Sequence, residues 1–230
     1  MSSPISTQWI SIAPGFEGYL ALPPAGSGPA LLLFQEIFGV NEHIRAVADQ
    51  YALDGFVVLA PDVFWRQAPR IELGYEGEDR QRGIQIAGQL QPAEVTADIH
   101  AAAAALRARP EAAGRKTGAI GYCMGGRLAF NAAAIAGVDA AVAYYGGGIH
   151  NQLDLAPRIT SPVLFHYAEH DDNIPPPAVD KVREAMGPRG EVHIYPGAKH
   201  GFNCWARSSY DAPSAALAHG RSLTFLSQLF

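Results

Sequence analysis

The stretch Gly121-Tyr122-Cys123-Met124-Gly125-Gly126 decides the fold of this chain. A short apolar run, residues 116–122, is typical of a buried strand, and the alanine-rich run that follows, residues 127–136, has helical character. A sharp turn between a strand and a helix needs residues with almost no side chain on both sides of its centre, and Gly121 and Gly125 supply them. The pattern therefore predicts a strand-turn-helix unit that presents the Cys123 thiol.

Two later residues extend this pattern into a candidate catalytic triad. Asp171 follows an apolar run, residues 161–167, and His200 lies in a loop after the strand-like residues 191–195. The five-residue pattern alone is weak evidence, because an unpaired cysteine is more often an inert core residue. In α/β-hydrolases, however, the nucleophile, the acid and the histidine occur in this order along the chain, at the carboxyl ends of parallel strands. The order predicts that Cys123, Asp171 and His200 act together.

The rest of the chain alternates predicted strands with predicted helices. The other strands are expected at residues 8–12, 17–22, 30–34, 56–60 and 139–145, and the other helices at residues 41–53, 92–109, 178–186 and 213–229. Asn41 is the expected N-cap of the first helix. The alternation predicts one α/β domain over residues 1–230 with a mostly parallel, doubly wound sheet and helices on both faces. Residues 64–92, charged and without clear periodicity, are predicted to form a cap or lid.

Composition restricts the classes of partner. The chain has 230 residues, 48% of them apolar, which is enough for one sizeable core. Its net charge of -5 is accompanied by no basic cluster, so neither nucleic acid nor a membrane is an expected partner. No secretion signal and no long apolar run is evident, so we expect a cytoplasmic protein, a monomer or small homo-oligomer, with both cysteines reduced.

The turn around Cys123 predicts how the thiol would react. A helix amino terminus and a neighbouring imidazolium both favour the thiolate, and Asp171 would orient the His200 ring. Acyl transfer also needs two backbone N–H groups for the developing oxyanion. The residue after the nucleophile and a loop after an early strand usually provide them, which predicts Met124 and Ile37.

Glu36 precedes Ile37 at the end of the strand 30–34, inside an otherwise apolar loop. Its position alone is compatible with a partly exposed loop carboxylate. A carboxylate there could instead exchange a proton with the Cys123 thiol. Both interpretations remain open from the residues alone.

Several motifs together carry a family resemblance. They are Gln35-Glu36-Ile37-Phe38-Gly39, Ala60-Pro61-Asp62, Arg66-Gln67-Ala68-Pro69, Gly121 to Gly126, Tyr144-Tyr145-Gly146 and Lys199-His200-Gly201-Phe202. Over nearly its whole length the chain resembles the dienelactone hydrolase (carboxymethylenebutenolidase) family. The resemblance implies an α/β-hydrolase fold and a triad of Cys123, His200 and Asp171, with Asp171 rather than Asp172 as the acid. It also implies that Glu36 partners the resting thiol and helps to deprotonate it when substrate binds.

The resemblance also implies substrate-binding residues. Members of the family hold a substrate carboxylate with two arginines, and Arg82 matches the first of these positions. The second position is Cys204 here, which predicts a weaker preference for anionic substrates unless Arg207 reaches back. The other predicted substrate-binding residues are Phe38, Tyr144, Tyr145 and Phe202, although packing is an equally good explanation for the two tyrosines.

No metal or cofactor is expected from the sequence. Cys204 and His200 have the spacing of a helical metal pair, but no further ligands cluster near them in the sequence. The glycines at 146–148 lack the strand-turn-helix context of a dinucleotide site. The remaining histidines are expected to be structural or solvent-facing.

These features predict a cofactor-independent hydrolase that acts on a small-molecule substrate. It would open lactones or cleave activated esters through an acyl-cysteine intermediate. A thioesterase or carboxylesterase on the same scaffold is an alternative. A non-catalytic binding module of the same fold is less well supported, because no member of the triad is missing.

Overall fold

The computed structural model describes residues 4–230 and is organised around an eight-stranded sheet. The strands are β1 (Ser6–Ala13), β2 (Phe16–Leu22), β3 (Ala30–Phe34), β4 (Val57–Pro61), β5 (Thr117–Tyr122), β6 (Ala140–Tyr144), β7 (Val163–His170) and β8 (Gly190–Lys199). Their order across the sheet is β1-β2-β4-β3-β5-β6-β7-β8. The β1–β2 and β2–β4 pairs are antiparallel and all other pairs are parallel, which confirms the predicted mostly parallel sheet.

Helices cover the sheet on both faces. They are α1 (Glu42–Leu53), α2 (Gly77–Gln89), α3 (Pro92–Arg107), α4 (Met124–Ile135), α5 (Pro176–Met186) and α6 (Ala212–Leu226). The helices α3 and α4 pack together, whereas α1 meets α6 where the Tyr51 and His219 rings lie 5.2 Å apart. Because both faces are covered, β3, β4, β5 and β6 are buried along their whole length and show no alternation of polar and apolar residues.

Local sequence signals account for most element boundaries. The Asn41 side chain accepts a hydrogen bond from the Ile44 N–H at 3.2 Å, so the predicted N-cap of α1 forms. The β1–β2 turn falls at Pro14 and Gly15 as expected. The α2 helix is not predicted from the sequence, because Gly83 and Ile86 are its only buried residues and leave a very narrow apolar face. Within residues 4–230, no helix is both long enough and apolar enough to cross a bilayer.

A backbone contact connects the start of α4 to the end of β3. A Cβ atom on Gly125 would lie 2.1 Å from the carbonyl oxygen of Phe34 and 2.5 Å from that of Gln35. A Cβ atom on Gly121 would lie 2.0 Å from the carbonyl oxygen of Gly125. Both glycines are therefore required by close approach of backbone, and they hold the turn at Cys123 against the loop that contains Ile37.

We predict that Gly125→Ala destabilises the fold, because its Cβ meets two rigid carbonyl groups and not a movable side chain. The free energy of unfolding should fall by at least ~2 kcal/mol, as expected for forced overpacking. Urea unfolding followed by circular dichroism measures this change.

Gly220→Ala is the matched control, because Gly220 lies in α6 and a Cβ atom added there would have no atom of another residue within 4 Å beyond its own helix backbone and chain neighbours. Helix propensity should then stabilise the protein by up to about 1 kcal/mol. Equal unfolding midpoints for the two variants would contradict the proposed backbone contact.

Candidate active site

Cys123 lies in the turn between β5 and α4, in a conformation that few residues adopt. Its φ is 57° and its ψ is -117°, and such strained backbone is typical of functional turns. The Cys123 N–H donates a hydrogen bond to the Tyr144 carbonyl oxygen at 3.0 Å, which fixes the turn to the end of β6. The thiol is partly exposed, so it is reachable from outside the protein.

His200 and Asp171 come together at the same edge of the sheet. Asp171 follows β7 and His200 follows β8, and the His200 Nδ1 lies 2.7 Å from the Asp171 Oδ2. The other carboxylate oxygen of Asp171 accepts the Asn173 N–H at 2.9 Å. The Asp171 side chain is fully buried, and Asp172, the neighbour not chosen as the acid, lies on the wall of the pocket.

His200 also interacts with Cys123. Burial opposes the charged imidazolium, but the Cys123 sulfur and the Asp171 carboxylate outweigh it through charge and hydrogen bonding, so the pKa of His200 is raised to about 10. Because Asp171 occupies Nδ1, Nε2 is the nitrogen left for the thiol. The structure therefore brings together the three residues of the predicted triad, with an imidazolium beside the sulfur at neutral pH.

The two residues predicted to supply the oxyanion hole, Ile37 and Met124, both line the pocket. Met124 is the first residue of α4, so its N–H has no acceptor within the helix. This N–H lies at the positive end of the helix dipole. The contact of Gly125 with Phe34 and Gln35 brings this helix end next to the Ile37 loop. The role of the two amides remains a prediction.

A pocket of about 820 Å³ opens above Cys123 and His200, and its charged side chains are mostly cationic. Its basic side chains are Arg80, Arg127, Lys199 and Arg207, and its acidic ones are Glu76 and Asp172. Phe38 lines the pocket, as predicted. This excess of positive charge favours a substrate that carries a negative group.

Arg82 does not reach this pocket. It is exposed on α2, whereas Arg80, Ile84 and Ala87 line the pocket wall. Residues 80, 84 and 87 share one helical face, and a residue two positions after Arg80 points about 200° away from it. The substrate-binding role predicted for Arg82 is therefore not supported, and Arg80 occupies the pocket side. The orientation of α2 about its own axis decides which arginine faces the pocket, and the sequence did not reveal that orientation.

Tyr144, Tyr145 and Phe202 lie behind the pocket and not on its wall. All three are fully buried, and the Tyr144 hydroxyl lies 2.7 Å from the Ser222 hydroxyl. The Tyr145 ring packs 5.0 Å from the His200 ring and 5.4 Å from the Phe202 ring, measured between centroids. This burial argues against direct substrate contact by the three residues, and among them Tyr145 is the one that packs against His200.

Glu36 is a buried carboxylate and not a partly exposed one. Arg207 Nη1 donates to Glu36 Oε1 at 2.9 Å, while Glu36 Oε2 has no hydrogen-bond partner among residues 4–230. Burial raises the pKa of Glu36, and the charges of Arg207 and His200 oppose that rise. The observed partner of the Glu36 carboxylate is therefore Arg207, and its expected role toward the resting thiol remains a prediction.

Arg207 reaches back from the turn after β8 to the position of Glu36. Its guanidinium lies across Gly201, which has a φ of +82° and where a Cβ would come within 2.5 Å of Arg207 Nη1. Any other residue at 201 would therefore block this path. Arg207, three residues after Cys204, therefore supplies the positive charge that the family resemblance places at position 204.

Comparisons with known proteins point to one family of hydrolases. The sequence model of the dienelactone hydrolase family matches residues 16–230. A carboxymethylenebutenolidase of Pseudomonas putida is 36% identical over 217 residues, covering 93% of this chain and 92% of that protein. Carboxymethylenebutenolidase 1 of Cupriavidus pinatubonensis is 32% identical and covers 93% of this chain and 92% of its own. A Klebsiella pneumoniae crystal structure assigned as a dienelactone hydrolase superposes with a TM-score of 0.86 at 30% identity, covering 97% of this chain and 99% of that one.

We predict that iodoacetamide alkylates Cys123 at pH 6.5 at least about tenfold faster than it alkylates a free thiol, which is only ~1% thiolate at that pH. The pKa of His200 is raised to about 10, so a positive charge lies beside the Cys123 sulfur throughout the neutral range. Mass spectrometry of the labelled chain measures rate and position.

Only one label per chain is expected, because Cys204 is fully buried. Cys204→Ser should keep the fast label, and His200→Ala should slow it. A Cys123 rate equal to that of a free thiol would contradict the activated nucleophile.

Proposed function

This chain belongs to the dienelactone hydrolase family, and we propose that it opens lactones or cleaves activated esters through an acyl-cysteine intermediate on Cys123. The observation that carries the proposal is the position of His200, which interacts with Asp171 on one side and with Cys123 on the other at the floor of the pocket. A nucleophile, a base and a group that orients the base are the minimum set for covalent acyl transfer.

In the acylation step, the Cys123 thiolate attacks the carbonyl carbon of the bound lactone or ester. The carbonyl oxygen becomes negatively charged and accepts hydrogen bonds from the Ile37 and Met124 N–H groups. Collapse of this intermediate breaks the carbon–oxygen bond, and the leaving oxygen takes a proton from the His200 imidazolium. In a lactone the leaving oxygen stays attached to the acyl chain.

In the deacylation step, neutral His200 removes a proton from water while that water attacks the thioester. Collapse of the second tetrahedral intermediate breaks the carbon–sulfur bond and returns the Cys123 thiolate and the His200 imidazolium. Asp171 remains charged throughout and stabilises the imidazolium each time it forms. The product is a free carboxylic acid, which loses its proton to solvent.

The ion pair of Arg207 with Glu36 connects substrate binding to thiol activation. A substrate carboxylate entering the pocket competes with Glu36 for the Arg207 guanidinium, because both prefer the same cationic donor. Once Glu36 loses this partner, its buried carboxylate is a stronger base, and we assign it the uptake of the proton from the fraction of Cys123 that is still a thiol. Glu36 releases this proton to solvent when the product leaves and Arg207 pairs with it again. The raised pKa of Glu36, caused by burial, supports this role.

Residues 64–92 have a role as a cap in this proposal. The α2 helix within this segment contributes Arg80, Ile84 and Ala87 to the pocket wall. A segment with few buried side chains at the mouth of a pocket is suited to cover a bound substrate and exclude water.

The direct test is turnover of enol lactones, aryl esters and acyl thioesters by the full chain. We expect hydrolysis of the lactone or aryl ester and a mass increase on Cys123 equal to the acyl group during turnover. Cys123→Ala should abolish both signals, and Glu36→Gln should slow acylation in single-turnover kinetics while leaving the fold intact.

Faster hydrolysis of thioesters than of lactones or aryl esters would identify the chain as a thioesterase. Absence of any acyl adduct and of any turnover would favour a binding module over an enzyme. Turnover unchanged in Cys123→Ala would exclude the covalent mechanism.

We predict that Arg207→Lys lowers kcat/KM for a carboxylated lactone by about tenfold relative to its methyl ester, since charge-assisted hydrogen bonds contribute ~1.5–3 kcal/mol. Lysine keeps the charge beside Glu36 but loses the bidentate fork. The ratio of kcat/KM for the two substrates, compared with that of the parent, measures the effect.

Arg82→Gln is the control, because Arg82 lies outside the pocket. It should leave the ratio unchanged, whereas Arg80→Gln should lower it. An equal loss in Arg82→Gln would show that long-range charge, and not contact in the pocket, selects the anion.

A further inference from the structure

A buried cluster of three side chains beside the pocket has the composition of a metal site. The cluster consists of Glu36 in the loop after β3, His43 in the first turn of α1 and Cys204 after β8. Each side chain offers one potential ligand atom, and these three atoms lie within 4.8 Å of one another. The exposed fractions of the three residues are 1%, 3% and 0%. Three elements far apart in the chain therefore converge on one enclosed point.

Three polar atoms of this cluster lack partners, whereas Glu36 Oε1 is paired with Arg207 and the Cys204 thiol contacts the Tyr75 hydroxyl. In the part of the chain that the structure describes, Glu36 Oε2 and both ring nitrogens of His43 make no hydrogen bond. Burying such groups without a partner costs free energy, and native proteins usually explain them with an ion or a bound water. Burial also lowers the pKa of His43 to about 4, with a further contribution from Arg207, so its lone pair is free at neutral pH.

We propose that Glu36, His43 and Cys204 bind a thiophilic divalent cation, and that Zn²⁺ is the metal this ligand set selects. Carboxylate oxygen, imidazole nitrogen and thiolate sulfur are the three zinc ligands in proteins, whereas Mg²⁺ and Ca²⁺ require oxygen. Three protein ligands leave the fourth tetrahedral position for water. Ligand atoms around zinc lie about 3.6 Å apart, so the side chains need to close by at most about 1 Å on binding.

The charges around the cluster are compatible with a bound cation. Binding replaces the S–H bond of Cys204 by a sulfur–metal bond and releases one proton. The thiolate and the Glu36 carboxylate then provide two negative charges to the cation, and the neighbouring Arg207 guanidinium offsets one of them. Arg207 occupies only Oε1 of Glu36, so Oε2 remains available to the metal.

A surface groove leads to the cluster. It has a volume of about 440 Å³ and is lined by His43, Trp205, Glu42 and Glu72. Glu72 already pairs with Arg45, so the Glu42 carboxylate is the group left to attract a cation. The Trp205 ring covers His43 at 4.2 Å between centroids and is half exposed, so a small movement of this indole opens the path.

The test uses Co²⁺ as the probe, because thiolate coordination to Co²⁺ produces a charge-transfer band in the near ultraviolet. The full chain, freed of metal with a chelator, is titrated with Co²⁺ and then with Zn²⁺. We expect one Co²⁺ per chain, a thiolate band, and its loss when Zn²⁺ displaces Co²⁺. His43→Gln should weaken binding by more than about tenfold, since even outer-shell losses cost this much.

Two cysteine variants separate this site from the catalytic pair, which also offers sulfur and imidazole. The band should persist in Cys123→Ser and disappear in Cys204→Ser, with circular dichroism confirming that both variants fold. If Cys204→Ser does not fold, His43→Gln in the Cys123→Ser background decides. Loss of the band in Cys123→Ser, or no thiolate band in the parent, would overturn the proposal.

A consequence for activity rests on the proposed function of Glu36. Metal bound to Oε2 removes the carboxylate from proton exchange with Cys123, so equimolar Zn²⁺ should slow acylation in the parent. The ratio of rates with and without Zn²⁺ should return toward one in Cys204→Ser. Because the Co²⁺ titration needs no substrate, its result is independent of whether the chain hydrolyses lactones.

Discussion

The close backbone contact between the start of α4 and the end of β3 is the constraint on which the rest of the structure depends. Gly125 has no room for a side chain against the carbonyl groups of Phe34 and Gln35, and Gly121 has none against Gly125. The chain must therefore turn within one residue, and Cys123 takes the positive φ that this requires. The consequence is functional as well as structural, because the same contact places a thiol, a free helix amino terminus and the end of β3 side by side. Main-chain atoms, whose positions are more restricted than those of side chains, therefore set the geometry of the site.

A buried charge is the second constraint. Glu36 is removed from water at the end of a fully apolar strand, and an unpaired carboxylate in such a place is strongly unfavourable. Arg207 compensates for it through one carboxylate oxygen only, which leaves the other without a partner in the part of the chain that the structure describes. The ion pair therefore stabilises the buried charge, but it leaves one carboxylate oxygen able to bind another ligand. This is the basis of our two proposals, in which an anion competes for the arginine and a cation competes for the carboxylate.

The sequence predicts those parts of the molecule that depend on local patterns. Apolar runs and caps locate the strands and most helices, and the order Cys123, Asp171, His200 identifies groups that meet at one sheet edge because parallel strands end there. Features that depend on the phase or packing of a weak element are not predictable in this way. Arg80 and not Arg82 lines the pocket, and the sequence could not show this because α2 has almost no apolar face to reveal its orientation. The ion pair of Glu36 with Arg207 is not predicted, because the path of a long arginine side chain across a turn has no signature in the sequence.

The two cysteines show that chemical role follows environment and not residue type. Cys123 is partly exposed beside an imidazolium, while burial raises the pKa of the Cys204 thiol to about 12 and keeps it neutral. At the position of Cys204 the family resemblance leads one to expect an arginine. Here the cation comes from Arg207 instead, so the substrate side of the pocket keeps its charge. Cys204 also places a soft sulfur ligand in the interior, next to the Glu36 carboxylate and His43. One substitution, compensated nearby, can thus preserve an anion site while it creates the ligand set of a cation site behind it.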